Sequence, residues 1–445
     1  MQVPSRERNN TIANKIGYAF RTSKFGNSIL KFLRNFKSKN VGGKKARNGP
    51  RITIPVRLLL AWKYKILIVL GGILFTFLLL HLYHFLTIKI NPLETSTVAL
   101  KKMSSDETNL IFWGFDSKDQ YKFVEFISLI SVNSRNGDLR IYTLNPNIII
   151  SDSGKKYTLR TFWNNIDESQ DKPAYFSNTI ETLLGIRVDR YISFDINSFK
   201  TFVSSYDVGM RTIDNYKSDN GFYRSGDYIS GDKLSDYLFS KKADTKEDSV
   251  VQRHGAFVSS FLENYRSFPF FYRLFWNSDT LNKTFYSNLS RDELVDFFTA
   301  VSSAKTPFKT GYSSIKSTIA GTTGIEDALI PDYITFDESI QKVFSDISIM
   351  QEQAKIEVFN ATKKSGLANK TKRIFQNWGA YVIKSGNYFE NIDKNIIYVP
   401  NNNAKNFVNN IAEIKRFFRD DIEVVQGEYK YNYSGDLIVV IGKEF

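Results

Sequence analysis

The sequence predicts a mixed α/β (α+β) protein attached to a membrane by one N-terminal transmembrane helix. Residues 66–86 form an unbroken apolar run. After it, short β-branched and aromatic runs alternate with segments of helical period, which argues for a mixed sheet with flanking helices. The final stretch of about 90 residues repeats that alternation as a small βαββαβ unit of split-βαβ character.

The apolar run, ILIVLGGILFTFLLLHLYHFL, contains no Asp, Glu, Lys or Arg. Its length suits a hydrocarbon core about 30 Å thick. Lys63 and Lys65 flank it on one side, and His81, Tyr83 and His84 lie toward the other, where amphipathic rings favour the interface. The formal net charge is +14, but residues 1–65 hold 16 Lys and Arg against one acid, Glu7, so the tail carries +15 and the rest of the chain −1. This is the positive-inside pattern, which puts the tail in the cytoplasm and the folded part outside the cell. It excludes a basic nucleic-acid groove on the folded part. The tail, rich in Asn, Ser, Gly, Lys and Arg, is expected to be mostly disordered, with residues 12–36 open to either a membrane-surface helix or a solvated arm.

Residues 87–107 read as a linker containing Asn91-Pro92. Strands are expected over 109–115, 125–133, 140–144 and 147–150, with Asn136-Gly137 closing a hairpin. A helix over 175–184, a strand over 190–195 and a helix over 198–204 capped by Asn197 come next. Helices follow over 254–265 and, opened by the capping box Ser290-Arg291-Asp292-Glu293, over 291–301. Residues 337–352 form an amphipathic helical stretch. In the final unit, strands are expected over 355–360, 381–384, 395–399 and 436–441, and helices over 366–378 and 403–418.

The chain has no cysteine, which removes disulfides, thiolate nucleophiles and cysteine metal sites. Its three histidines are His81, His84 and His254, so a histidine zinc site or a Ser-His-Asp triad in the outer region would have to rest on His254 alone.

The segment IEVFNATKKSGLA (356–368), the pair Trp378-Gly379 and the ending DLIVVIGKEF (436–445) resemble the LytR C-terminal domain. Ala361 replaces that family's usual glycine and Glu444 its usual aspartate. Asn360, Thr362 and Gly366 read as turn and cap chemistry. In many proteins that domain follows a LytR-CpsA-Psr (LCP) domain, and residues 108–346 resemble a diverged one. The matching features, in order, are the strand ending in Gly-x-Asp at Asp116, the strand at Glu125, Leu183-Leu184-Gly185-Ile186 with Tyr191, Ile229-Ser230-Gly231, Tyr237 to Lys241, and Asn288-Leu289-Ser290. The domains expected are therefore the tail (1–65), the membrane helix (66–86), the linker (87–107), an LCP-like domain (108–346) and the C-terminal domain (353–445).

LCP proteins transfer a glycopolymer from a polyprenyl pyrophosphate to peptidoglycan, using a cluster of arginines and two aspartates. Pyrophosphate chemistry needs such compensation, from forked arginines and from Mg²⁺ held by carboxylates. Here the resemblance implies an eroded set. Thr143-Leu144-Asn145-Pro146-Asn147 stands in place of Ser-Ile-Pro-Arg-Asp, Phe239 and Val250 replace arginines, Lys241 replaces another, and His254 replaces a glutamine. The phosphate-binding candidates are Arg253, Lys241 and Arg160, and the metal candidates are Asp116 and Glu125. No catalytic residue is assigned. Each candidate also has a bland reading as a turn, surface or ion-pair residue. Three functions follow as alternatives. The chain is a pseudoenzyme binding a lipid-linked glycopolymer or cell-wall component, an active Mg²⁺-dependent phosphotransferase, or a non-catalytic protein-interaction scaffold.

Overall fold

The computed structural model describes residues 107–445 except 135, 241–246, 267–277, 314–327, 419, 428 and 444–445, together with Gly71 and Thr76. The expected tail, nearly all of the expected membrane helix and linker, and Lys241 lie outside the described residues. Among the described residues no helix is long and apolar enough to cross a membrane. The chain separates into Met1–Leu74 and Phe75–Phe445, and the description below concerns the second unit.

Strands β1 (Glu107–Lys118), β2 (Tyr121–Asn133) and β3 (Asp138–Leu144) form an antiparallel meander. The Asn136-Gly137 turn lies where the sequence places it, with Gly137 at φ 73°. The hairpin β4 (Ile149–Asp152) and β5 (Lys155–Thr158) leads into α1 (Leu159–Phe162) and α2 (Lys172–Leu184). Then β6 (Arg190–Asp195) pairs parallel with β1 and runs into α3 (Ile196–Tyr206). Four short strands follow: β7 (Gly209–Arg211), β8 (Tyr216–Lys217), β9 (Phe222–Tyr223) and β10 (Tyr228–Ser230). Next come α4 (Asp232–Phe239), α5 (Glu247–Tyr265), α6 (Ser278–Thr284), β11 (Phe285–Ser287), α7 (Arg291–Ser303), β12 (Lys309–Tyr312), α8 (Tyr333–Phe344) and α9 (Ile347–Glu352). The main sheet has the order β11-β6-β1-β2-β3-β12 and is mixed, as expected.

The last unit comprises β13 (Lys355–Asn360), α10 (Leu367–Asn377), β14 (Tyr381–Asn387), β15 (Ile396–Val399), α11 (Val408–Phe417), β16 (Glu423–Gln426) and β17 (Leu437–Ile441). Its sheet order is β14-β13-β17-β15-β16. Strand β16 is an addition to the expected βαββαβ. Its four residues, Glu-Val-Val-Gln, are too few and too mixed to signal a strand, and pairing with β15 creates it.

Three local expectations change. Asp195, not Asn197, caps α3, because its carboxylate accepts from the backbone N–H of Asn197 and Ser198. The stretch 337–352 divides into α8 and α9, where Asp346 turns out of the helix and accepts from Ser348 N–H at 2.8 Å. Helix α5 begins at Glu247, before the expected 254.

Main-sheet residues alternate between two cores, as the two-residue period of a strand requires. Ile111, Trp113, Phe115, Ile127, Leu129, Tyr142 and Leu144 face one side; Leu110, Phe112, Phe126, Ile130 and Ile141 face the other. The first side does not end at the sheet. It continues through Phe176 and Ile180 of α2 and Phe336 and Ile340 of α8 into Ile356, Phe375, Trp378, Ile397, Phe417 and Val439 of the C-terminal unit. The two sheets therefore share one apolar core.

Polar contacts fix that join. Asn377 Nδ2 donates to the Leu184 carbonyl at 2.7 Å. Gly185, which closes α2 at φ 61°, permits this approach, since a Cβ there would lie 2.7 Å from the same nitrogen. Arg373 Nε reaches both oxygens of Asp337 at 3.1 and 3.0 Å, and Lys370 Nζ reaches Glu181 at 2.9 Å. Deeper in, Glu107 at the start of β1 lies 3.5 Å from Arg416 of α11 and 3.9 Å from Arg140 of β3. It also accepts from Ser131 at 2.9 Å. Glu413 pairs with the same Arg416. Burial pushes the carboxyls of Glu413 and Asp189 above their ordinary range, against the pull of the arginines beside them.

Replacing Glu107 with Ala leaves two buried guanidinium groups without their shared acid. The full chain should lose about 3 kcal/mol of unfolding free energy in urea. The two sheets should still unfold in one transition because they share a core. Glu293 tests another tie. It accepts from Arg190 Nε at 3.2 Å and completes the capping box of α7. Burial raises its pKa, but the Arg190 bonds and the Ser290 N–H outweigh this and hold it below the ordinary value. Its contribution is therefore present above the unfolded pKa, near 4.5, and is lost as pH falls through the folded one. Glu293→Gln should cost about 2 kcal/mol at pH 7, and the gap to the native chain should close as pH falls through the lowered folded pKa.

Candidate functional site

The candidate residues sit at the ends of β1 and β2 and on α1 and α5. Asp116 is half-buried near the end of β1, and Lys118 lies 3.2 Å from it. Glu125 lies at an irregularity in the β1–β2 register, where the pairing steps from Phe126 to Val124. Arg160 on α1 binds it, with Nε at 2.8 Å and Nη2 at 2.6 Å from Oε1. The same guanidinium lies 5.8 Å from the ring of Phe123. A metal candidate and a phosphate candidate are thus brought together as an ion pair. Among the described residues no three His, Asp or Glu side chains gather into a group able to hold a metal. Asp116 and Glu125 thus face Lys118 and Arg160.

Arg253 is buried on α5. Its Nε and Nη2 fork onto Asp214, with Nη2 at 2.7 Å from Oδ2. Its guanidinium lies 3.7 Å from the Tyr216 ring centroid and 4.8 Å from that of Tyr237. Tyr237 donates its hydroxyl to Asp214, and Tyr223 donates to Asp236 at 2.6 Å. Burial, aided by those carboxylates, pushes both tyrosines up to about 12 and keeps them as donors. Arg253 Nη1 has no hydrogen-bond partner among the described residues. The segment DNYKSDNGFYRSGDY (214–228) showed alternating Asp and Tyr, but nothing in it marked Asp214 as the partner of a residue 39 positions away.

Phe239, Val250 and His254, which the resemblance sets against two arginines and a glutamine, are packed among other side chains. His254 is buried, its Nε2 is 3.0 Å from the Leu238 carbonyl, and its ring lies 4.9 Å from Phe126 and 5.7 Å from Phe239. Phe239 meets Phe199 edge-on at 5.9 Å and Phe194 at 6.4 Å. Val250 is buried too. In the Thr143–Asn147 segment, Thr143 bonds Ser128 at 2.9 Å, Asn145 N–H donates to Ser313 Oγ at 2.9 Å, and Asn147 N–H donates to Asn145 Oδ1 at 2.9 Å. The Asn145 side chain serves the turn itself.

Comparison with known proteins adds the following. Residues 353–445 match the family model described as LytR cell envelope-related transcriptional attenuator, so the last unit is a LytR C-terminal domain. A search of curated protein sequences gives no match. Among solved structures, the chain is similar to TagV of B. subtilis, at 11% identity and TM-score 0.46 over 62% of this chain and 99% of that one. It is also similar to a transcriptional regulator from Enterococcus faecalis, at 12% identity and TM-score 0.43 over 63% and 92%. A third is TagT bound to LIIa-WTA, at 16% identity and TM-score 0.43 over 56% and 96%.

Arg253 is placed as a clamp between α5 and the Asp214 loop. Arg253→Ala should destabilise the full chain by about 3 kcal/mol in urea unfolding, because it strands Asp214 and unstacks two tyrosines. Arg253→Lys should recover little of this, since a lysine supplies neither the fork nor the planar stacking surface. An unchanged unfolding midpoint in Arg253→Ala would contradict the clamp.

Proposed function

We propose that this chain is a membrane-anchored, extracytoplasmic cell-envelope protein on an LCP-type scaffold. In this reading it binds a lipid-linked glycopolymer or another cell-wall component without transferring it. One observation carries the non-catalytic part. Where the family resemblance calls for two arginines and a glutamine, this chain has Phe239, Val250 and His254, and these pack against other side chains. Transfer from a pyrophosphate requires fixed positive charge where negative charge develops, and apolar side chains supply none. The described cations of the candidate set, Arg160 and Arg253, are held by Glu125 and Asp214. The envelope location is supported by the apolar run at 66–86, the basic tail before it and the LytR C-terminal domain.

The test uses the full chain in detergent micelles with Mg²⁺ and a glycan carried on a short polyprenyl pyrophosphate. Binding with the pyrophosphate left intact over hours is the expected result. Release of polyprenyl phosphate above the rate without protein would show an active transferase and overturn the reading.

A further inference from the structure

A groove of about 750 Å³ runs along the face of α5 next to the one that carries Arg253. Its walls are α5, strands β7 and β10, and the edge strand β12. We propose that this groove is a binding site for an uncharged oligosaccharide, with sugar faces stacked on Tyr228 and Tyr312. The proposal rests on the envelope-binding reading above and gives it a location and a ligand class.

Size is the first argument, since about 300–1,000 Å³ is the range of ligand clefts and holds a few sugar rings. The rims are the second. Tyr228 is 60% exposed and Tyr312 39% exposed, on β10 and β12 respectively. Tyr228 lies across Gly209 of the paired strand, where a Cβ would sit 2.4 Å from its hydroxyl oxygen, so only glycine leaves room for the ring. A ring held this way presents a face for the C–H side of a pyranose and a hydroxyl for its edge.

The third argument is the row of polar groups on α5. Gln252, Ser259 and Glu263 are spaced by seven and four residues and so share one helix face. Among the described residues none of their side chains makes a hydrogen bond, which leaves donors and acceptors for sugar hydroxyls. Charge is the fourth. Among the described residues the lining holds one arginine, Arg211, whose Nη1 donates to the Gly226 carbonyl at 3.0 Å, and one glutamate, Glu263. A polyanion would want several forked cations, and this groove has no surplus. The chemistry therefore favours the neutral part of a glycan over a phosphate or pyrophosphate.

The test is calorimetric titration of the full chain in detergent with neutral tetrasaccharides (chitotetraose, cellotetraose and mannotetraose), and separately with the glycan on polyprenyl pyrophosphate. At least one tetrasaccharide should bind saturably. Tyr228→Ala and Tyr312→Ala should each weaken it about five- to tenfold, the size of a lost aromatic contact. Ser259→Trp, which fills the groove, should abolish it. All three positions reach the surface, and urea unfolding of each variant checks that it stays folded. Binding that ignores all three substitutions would overturn the groove assignment. So would binding of the lipid-linked glycan with no tetrasaccharide bound, while leaving the envelope-binding reading in place. Failure of every probe to bind would sink both.

Discussion

The structure turns on a shared core that is sealed by buried charge. One face of the main sheet and one face of the C-terminal sheet bury their side chains in the same apolar cluster. Glu107, the first residue of β1, meets Arg416 of α11 at the edge of that cluster. Removing ions from water is costly, so such a group persists only where its partners are in place together. Arg140, Glu413 and Ser131 are those partners, drawn from β3, α11 and β2. The C-terminal domain is thus held to the strand by which the chain enters the folded region, and it is no pendant module on a loose linker. The Leu-Leu-Gly stretch fits the same picture, since Asn377 and Arg373 of α10 pack against Gly185.

The candidate site pairs its described cations with carboxylates. A phosphoryl-transfer site needs cations that await a substrate. Here Arg160 is bonded by Glu125 and Arg253 by Asp214, both inside hydrogen-bond distance. Beside them, His254 packs on Phe126 and Phe239 on Phe199. The groove on the next face of α5 has the opposite character, with exposed rings and polar side chains that the fold leaves unused.

Much of the fold was legible because its signals are local. The Asn-Gly turn, the Ser290 capping box, the strand at 190–195 and the strand at 355–360 stand where the sequence placed them. Each rests on residues within a few positions of one another. The errors share the reverse cause. Asn197 and Asp195 are both good caps, and only the backbone path of β6 into α3 selects Asp195. The short strands β11, β12 and β16 exist through partners far along the chain.

The candidate side chains were named from the sequence, but their roles were not. Sequence alone determined the mixed strand and helix content and the LytR C-terminal domain, because these depend on residue identity and short-range pattern. Tertiary structure decided that Arg253 meets Asp214, that Arg160 meets Glu125, and that two sheets share one core. The physical reason is that an ion pair or a core contact depends on distance in space. Residues 39 or 35 apart in the chain carry no mark of their proximity until the sheet and helices bring them together.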